Sequence, residues 1–240
     1  MRLTPELIAE GEQVMNACQD RTLVLRGNKI AVIENLELTK DQYTCIDLCD
    51  NDIMKINVIP KLERLRTFLL ASNNISRIDP NAFSNLSGLT SLVLSHNRIG
   101  HLGTTLPIGH LRKLERLSLR DNPVTKEPHY RSFILHLMGY SRNFRYLDQE
   151  RITEADRRSA REFFQTEEGK KFLSNIVPEV AGTEEPHAET RRRFALNQEI
   201  LNKIKIALTE AEDMSVVNLL ERTLKTGEIS DEVAKMIGIS

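Results

Sequence analysis

This sequence lacks any apolar run approaching the roughly 18–20 residues that a membrane-spanning helix needs. Its opening residues, MRLTPELIAEGEQ, lack the apolar core and small-residue cleavage site of a secretory signal, so export is not expected. Cysteine is scarce: three in 240 residues, an odd number that closes no disulfide framework and points to a reducing compartment. Two of them, Cys45 and Cys49, sit four apart at outward positions of one expected strand, roughly 13 Å along it. A disulfide needs Cα atoms within about 7 Å. No second Cys or His pair completes a metal-ligand set, and the six histidines are scattered. There is no glycine-rich phosphate loop, no G-x-S-x-G elbow and no kinase signature. Cofactor, metal and catalytic chemistry have no candidate residues, and an enzyme is not expected. Net charge is missing too, with Lys+Arg 33 against Asp+Glu 34. A protein that holds nucleic acid alone usually carries a strongly basic surface, because phosphate contacts supply most of the affinity. Any such contact here must come from a local patch or through a second protein.

What the sequence has is a repeat. The pattern L-x-L-x-x-N-x-[I/V] is met by Leu23, Leu25, Asn28 and Ile30, then by Ile46, Leu48, Asn51 and Ile53. It recurs at Phe68, Leu70, Asn73 and Ile75, at Leu92, Leu94, Asn97 and Ile99, and at Leu117, Leu119, Asn122 and Val124. The asparagines are spaced 23, 22, 24 and 25 residues apart. Leu65, Leu89 and Leu114 complete the longer pattern L-x-x-L-x-L-x-x-N in three of the repeats. Period two sends both apolar side chains of each strand to one face. Where the chain turns away, a buried Asn has donors and an acceptor for backbone groups that no sheet ladder can satisfy. One such unit cannot bury its own apolar face, so several must stack. The spacing is that of leucine-rich repeats, and the expected fold is α/β: a solenoid with a curved parallel sheet of about five repeats, capped by helices at both ends.

The expected divisions are an N-terminal cap over 1–20, repeats over 21–125, a C-terminal cap and helix over 126–177, a linker over 178–193 and a helical tail module over 194–240. Thr4 reads as a helix N-cap with Pro5 at the first position, and Leu7, Ile8, Val14 and Met15 as that helix's apolar stripe. Phe133, Ile134, Leu137, Met138, Phe144 and Leu147 form the other cover. Thr153 and Asp156 have capping-box spacing and open a charged helix expected to stop near Gly169. The linker PEVAGTEEPHAETRRR has two prolines and dense charge. Beyond it, Ile200, Leu201, Ile204 and Leu208, then Val216, Val217, Leu220 and Leu224, keep helical spacing, which predicts a small hairpin.

Function is expected on the concave sheet face, at the residues between and after the core leucines: Val24 and Arg26, Asp47 and Cys49, Leu69 and Ala71, Val93 and Ser95, Ser118 and Arg120. A solvated face should be polar there, yet Val24, Leu69, Ala71 and Val93 make an apolar centre with a charged rim, as protein interfaces do. A short concave sheet suits an amphipathic helix. Charge is also uneven: from Leu111 to Leu147 there are eight Lys or Arg against three Asp or Glu. This end could approach phosphates, or be a solvated face offset by acidic neighbours.

Four stretches resemble one family: LTPELI, LRGNKIAVIENL with the following DQY, DNPVTKEPHYR, and YLD, with a weaker match in IKIALTEAEDMSVVNLLERTLKTGEI. These are similar to the A′ proteins of the U2 small nuclear ribonucleoprotein, a leucine-rich-repeat family of the spliceosome. The resemblance implies a nuclear, non-catalytic splicing scaffold. It implies a heterodimer with the B″ protein, whose RNA-recognition domain lays a helix in the concave face. It further implies contact with a U2 small nuclear RNA stem-loop through that partner, within a particle of other U2 and spliceosome proteins. Arg26 and Lys29 fall where the family is basic near the RNA, and Arg116, Arg120, Lys126 and Arg131 join them as RNA-proximal candidates. Asp121 and the acidic-basic linker depart from the pattern and weaken the carry-over at the far end. The alternative class is a regulatory leucine-rich-repeat protein of a phosphatase or chromatin complex, against which the absence of a long acidic tail and of uniform 22-residue repeats speaks.

Overall fold

The asparagines build the architecture. In the computed structural model, which describes residues 2–16 and 19–176, Asn51, Asn73, Asn97 and Asn122 are buried. Asn97 Nδ2 donates to the carbonyls of Leu70, Leu94 and Ser95 (2.9–3.2 Å), and its Oδ1 accepts from the Ile75 amide at 2.9 Å. Asn73 and Asn122 repeat this pattern, and Asn51 adds a second amide by accepting from Asn28 as well as Ile30. Each carboxamide thus joins its own turn to the preceding coil. Asn28 has no preceding coil: it is half-exposed, and among the described residues its carboxamide donates only to the Arg26 carbonyl. The residue before each asparagine, Gly27, Asp50, Ser72, His96 and Asp121, takes a left-handed φ between 54° and 73°. That backbone costs a non-glycine residue roughly 1–2 kcal/mol, which the buried asparagine bonds offset.

Ten strands follow in chain order: β1 (Glu12–Met15), β2 (Arg21–Val24), β3 (Cys45–Asp47), β4 (Lys55–Ile56), β5 (Thr67–Leu69), β6 (Arg77–Ile78), β7 (Ser91–Val93), β8 (Arg116–Ser118), β9 (Tyr146–Leu147) and β10 (Glu150–Arg151). Eight of them form one sheet in the order β1-β2-β3-β5-β7-β8-β9-β10, parallel from β2 to β9 and antiparallel at both ends, while β4 and β6 pair separately. The register sets Leu23, Ile46, Phe68, Leu92, Leu117 and Leu147 side by side on the inner face. These six residues are at most 2% exposed, each contributing on the order of 1.5–3 kcal/mol by burial. Short 3-10 turns at Leu36–Thr39, Leu102–His110 and Pro123–Lys126 return the chain.

The caps differ from expectation in two places. Helix α1 (Pro5–Glu10) is capped by Thr4, whose hydroxyl accepts from Leu7, but it stops at Gly11. A Cβ there would meet the Leu23 and Leu25 side chains. Val14 and Met15 are therefore not part of a helical stripe. They lie on β1, which covers the open edge of β2, and Met15 is 70% exposed. At the other end, α2 (Tyr130–Leu137) buries Phe133 and Ile134. Thr153 and Asp156 close a reciprocal capping box at the start of α3 (Glu154–Gln165). Backbone hydrogen bonding at this box holds the Asp156 carboxyl below its ordinary range. The helix ends at Thr166, not near Gly169, because Thr166 turns to cap α4 (Glu167–Asn175) and accepts from the Gly169 amide at 3.1 Å. Gly169 sits against the Phe163 carbonyl, where a Cβ would collide. Its role is close approach of two helices. The buried Arg157 guanidinium fastens α3 to the loop before β9 through the Ser141 and Phe144 carbonyls (2.8 and 2.9 Å). The helical tail expected over 194–240 and the linker over 178–193 lie outside the described residues.

Candidate functional site

The outer sheet face carries three columns of side chains, one strand apart at about 4.8 Å. In the middle column the register aligns Val24, Asp47, Leu69, Val93 and Ser118. Val24, Asp47, Leu69 and Val93 are half-buried; Leu69 and Val93 lie side by side, and Asp47 stands between Leu69 and Val24. The next column toward the strand ends holds Arg26, Cys49, Ala71, Ser95 and Arg120. Here the expectation of outward, accessible side chains holds only in part. Cys49 is 7% exposed, tucked beside Asp47, and burial followed by its hydrogen bond to Asp47 pushes the thiol up to about 12. Cys45, likewise expected outward, is 2% exposed. The Cys49 amide also donates to the Asp47 carboxylate at 2.9 Å, which holds this turn against the sheet. Ser95 and Ser118 are buried against each other, Oγ to Oγ 2.7 Å.

A third column, of which the sequence reading named only Cys45 and Arg116, runs along the strand starts. Thr22, Cys45, Thr67, Ser91, Arg116 and Tyr146 are in register at the strand starts. The repeat pattern begins at its first core leucine, and period two carried one residue further back reaches Thr22, Thr67, Ser91 and Tyr146 as well. Arg116 lies over the Tyr146 ring, 5.4 Å from its centroid. Together with Ser91, Val93, Ser95, Ser118 and Gln149 they line an open cleft of about 410 Å³.

The basic candidates are not one patch. Arg26 donates from Nε to Asp50 at 2.6 Å, and this hydrogen bond, reinforced by the carboxylate's charge, raises the guanidinium further. Arg120 shares Asp121 with His96 (3.5 and 3.3 Å). Arg131 is bound by Glu150 and Asp156 (3.1 and 3.2 Å), so its charge is spent on holding α3 to the cap. Lys126 is exposed beside Arg120 on a separate cleft of about 580 Å³ that Asp121 and Asp148 also line. Lys29 lies in the first coil and is exposed. Asp148 closes the last coil, accepting from the Leu119 amide (2.6 Å) and the Tyr130 hydroxyl (2.8 Å). Burial, and then that carboxylate, raise the Tyr130 phenol well above its ordinary value.

Comparison with known proteins agrees with this geometry. A leucine-rich-repeat family model matches residues 1–177. The U2 small nuclear ribonucleoprotein A′ of Arabidopsis thaliana is 39% identical over 232 residues, spanning 95% of this chain and 92% of that one. The chain belongs to the U2 small nuclear ribonucleoprotein A′ family. The human member is 34% identical over 95% of this chain and 89% of its own length, and the probable Drosophila melanogaster member 35% over 97% and 90%. Among solved structures, the crystal structure of the Drosophila melanogaster SNF/U2A′ complex superposes with a TM-score of 0.68 at 41% identity, covering 72% of this chain and 98% of that one. The leucine-rich-repeat solenoid with helical caps is the architecture of this spliceosomal family.

Proposed function

We propose that the chain is a non-catalytic scaffold of the U2 particle. Its outer sheet face takes a helix from an RNA-recognition-domain protein of the B″ type, and the pair holds a stem-loop of U2 small nuclear RNA for pre-mRNA splicing in the nucleus. The observation that carries the reading is the in-register row Val24, Asp47, Leu69, Val93 and Ser118. Its half-buried apolar centre matches the i, i+3, i+4 and i+7 anchors of an amphipathic helix. Arg26, Asp47 and Arg120 give this centre a charged rim, while Cys49, Ala71 and Ser95 keep the neighbouring column low so that a helix can approach the backbone. The solved complex supports the reading because a chain of this architecture is there found with a protein partner. The test is calorimetry with the RNA-recognition partner. Leu69→Glu combined with Val93→Glu is expected to weaken binding by at least about 30–100-fold, as hot-spot losses of 2 kcal/mol or more do. Both side chains face outward, so melting should stay cooperative. Unchanged affinity would sink the model.

A further inference from the structure

The two ends of the main sheet are finished differently. At the C-terminal end the outer edge of β10 is spent: Arg131 donates to the Arg151 carbonyl at 3.3 Å and pairs with Glu150 at 3.1 Å. At the N-terminal end, β1 has β2 on one side and no described strand on the other. The hydrogen-bond alternation decides which of its backbone groups are left over. The Asn16 amide bonds the Asp20 carbonyl at 3.0 Å, while the Arg21 carbonyl and the Leu25 amide bond toward β3. Antiparallel neighbours exchange bonds at every second residue. Glu12 and Val14 therefore turn their N–H and C=O groups to β2, and Gln13 and Met15 turn theirs away from the sheet. Natural edges are blunted by lysine, proline or a bulge. The sequence of β1, EQVM, has neither lysine nor proline, and its register with β2 is unbroken.

The side chains around this edge select what can be added to it. Met15, at 70%, is the most exposed large apolar side chain among the described residues. Glu6 and Glu10, four apart on one face of α1, lead into Glu12, which lies opposite Val24 on the outer sheet face. All three are exposed, and none is paired with a cation among the described residues. Arg21, opposite Met15 on β2, is committed elsewhere: it donates to the Gln13 side chain at 3.2 Å and lies over the Tyr43 ring, 5.3 Å from its centroid.

We propose that the free edge of β1 takes an extended, basic segment of a protein partner as an added strand. Main-chain bonds to Gln13 and Met15 supply affinity, and alternate side chains supply specificity. A lysine or arginine opposite Glu12 meets a carboxylate, and an apolar residue three positions along covers Met15. The same three carboxylates repel the phosphates of a nucleic acid. They also disfavour a second copy of this chain, because pairing β1 with β1 brings two sets of glutamates together.

The experiment uses the full chain and three blocked ten-residue peptides. One alternates lysine with valine and one alternates glutamate with valine. The third is a copy of the first N-methylated throughout, which keeps the charge and removes every main-chain donor. In a titration followed by nuclear magnetic resonance, the lysine peptide should bind and protect the Gln13 and Met15 amides from hydrogen exchange. Its affinity should exceed that of the N-methylated copy by about tenfold or more, the loss expected for two or more backbone hydrogen bonds. Glu10→Lys combined with Glu12→Lys should weaken it comparably. So should Gln13→Pro, which removes an outward N–H that an edge strand can forgo. Equal binding of the N-methylated copy or of the glutamate peptide overturns strand addition. Protection appearing at β10 or along β5 and β7 instead of at Gln13 and Met15 does the same, as does an absence of binding. Protection of those two amides that rises with the concentration of the chain alone makes the edge a self-association site and also overturns the proposal.

Discussion

The four inner coils and the two ends of this solenoid solve the same problem by different means. Inside, each coil finds a neighbour of its own kind, and one residue type at one position, the asparagine of each turn, satisfies two coils at once. At the ends no such neighbour exists. The N-terminal edge is covered by the antiparallel β1, and the C-terminal edge by β9, β10 and three helices held by a buried arginine, a capping box and an aspartate. Periodic chemistry suffices where the environment repeats, and non-periodic chemistry is needed where it stops.

The sharpest break in that comparison comes from one substitution made in both places. Asn97→Ala removes an amide that serves three carbonyls and one backbone N–H, all buried. With about 1–3 kcal/mol lost for each buried group left unsatisfied, the loss in urea unfolding should exceed about 3 kcal/mol. Asn28→Ala, which removes a single part-exposed bond, should cost no more than about 1 kcal/mol. Equal losses would show that the ladder is not the source of the solenoid's stability. An intermediate effect is expected at the far end from Gly169→Ala. The added methyl is driven toward the Phe163 carbonyl, costing about 1–3 kcal/mol by overpacking. Hydrogen exchange should rise in α3 and α4 while the amides of β3, β5 and β7 stay protected.

The smallest effect is a pH response confined to the cap. Burial lowers the His136 pKa from 6.5, and its Nδ1 lies 2.9 Å from the Tyr140 hydroxyl while its ring packs on Phe164. Arg161 lies over the ring of that same Tyr140, 5.1 Å from its centroid. Because the folded form resists protonation, the unfolded chain takes up the proton first as pH falls. Stability is therefore full above pH 6.5 and declines below it toward the lowered folded value. The melting temperature should be lower at pH 5.5 than at 7.5 by a margin that shrinks in His136→Gln. An identical margin in the variant would place the response elsewhere.

Much of the array was legible in the residues because its chemistry is local and repeated. The spacing of Asn51, Asn73, Asn97 and Asn122 carried the turns, and L-x-L carried the inner face. Asn28 matched the same pattern and behaves differently, since no sequence repeat says which coil stands first in space. The end of α1 was misread for a similar reason: Leu7, Ile8, Val14 and Met15 keep helical spacing, but the demand at that edge is for a strand to cover β2. Gly169 likewise looked like a stop signal until the approach of α4 to Phe163 gave it another purpose. On the outer face, the row from Val24 to Ser118 could be listed in advance, whereas the burial of Cys49 and the serine pair needed the register.

The sequence by itself determined a stacked leucine-rich repeat with apolar side chains at the centre of its outer face, because period two and a recurring asparagine permit no other economical packing. Only the tertiary structure decided which charges are free. Arg120 and Arg131 look no different from Arg112 and Arg145 along the chain. Asp121, Glu150 and Asp156 reach the first two through space and leave the others on the opposite rim.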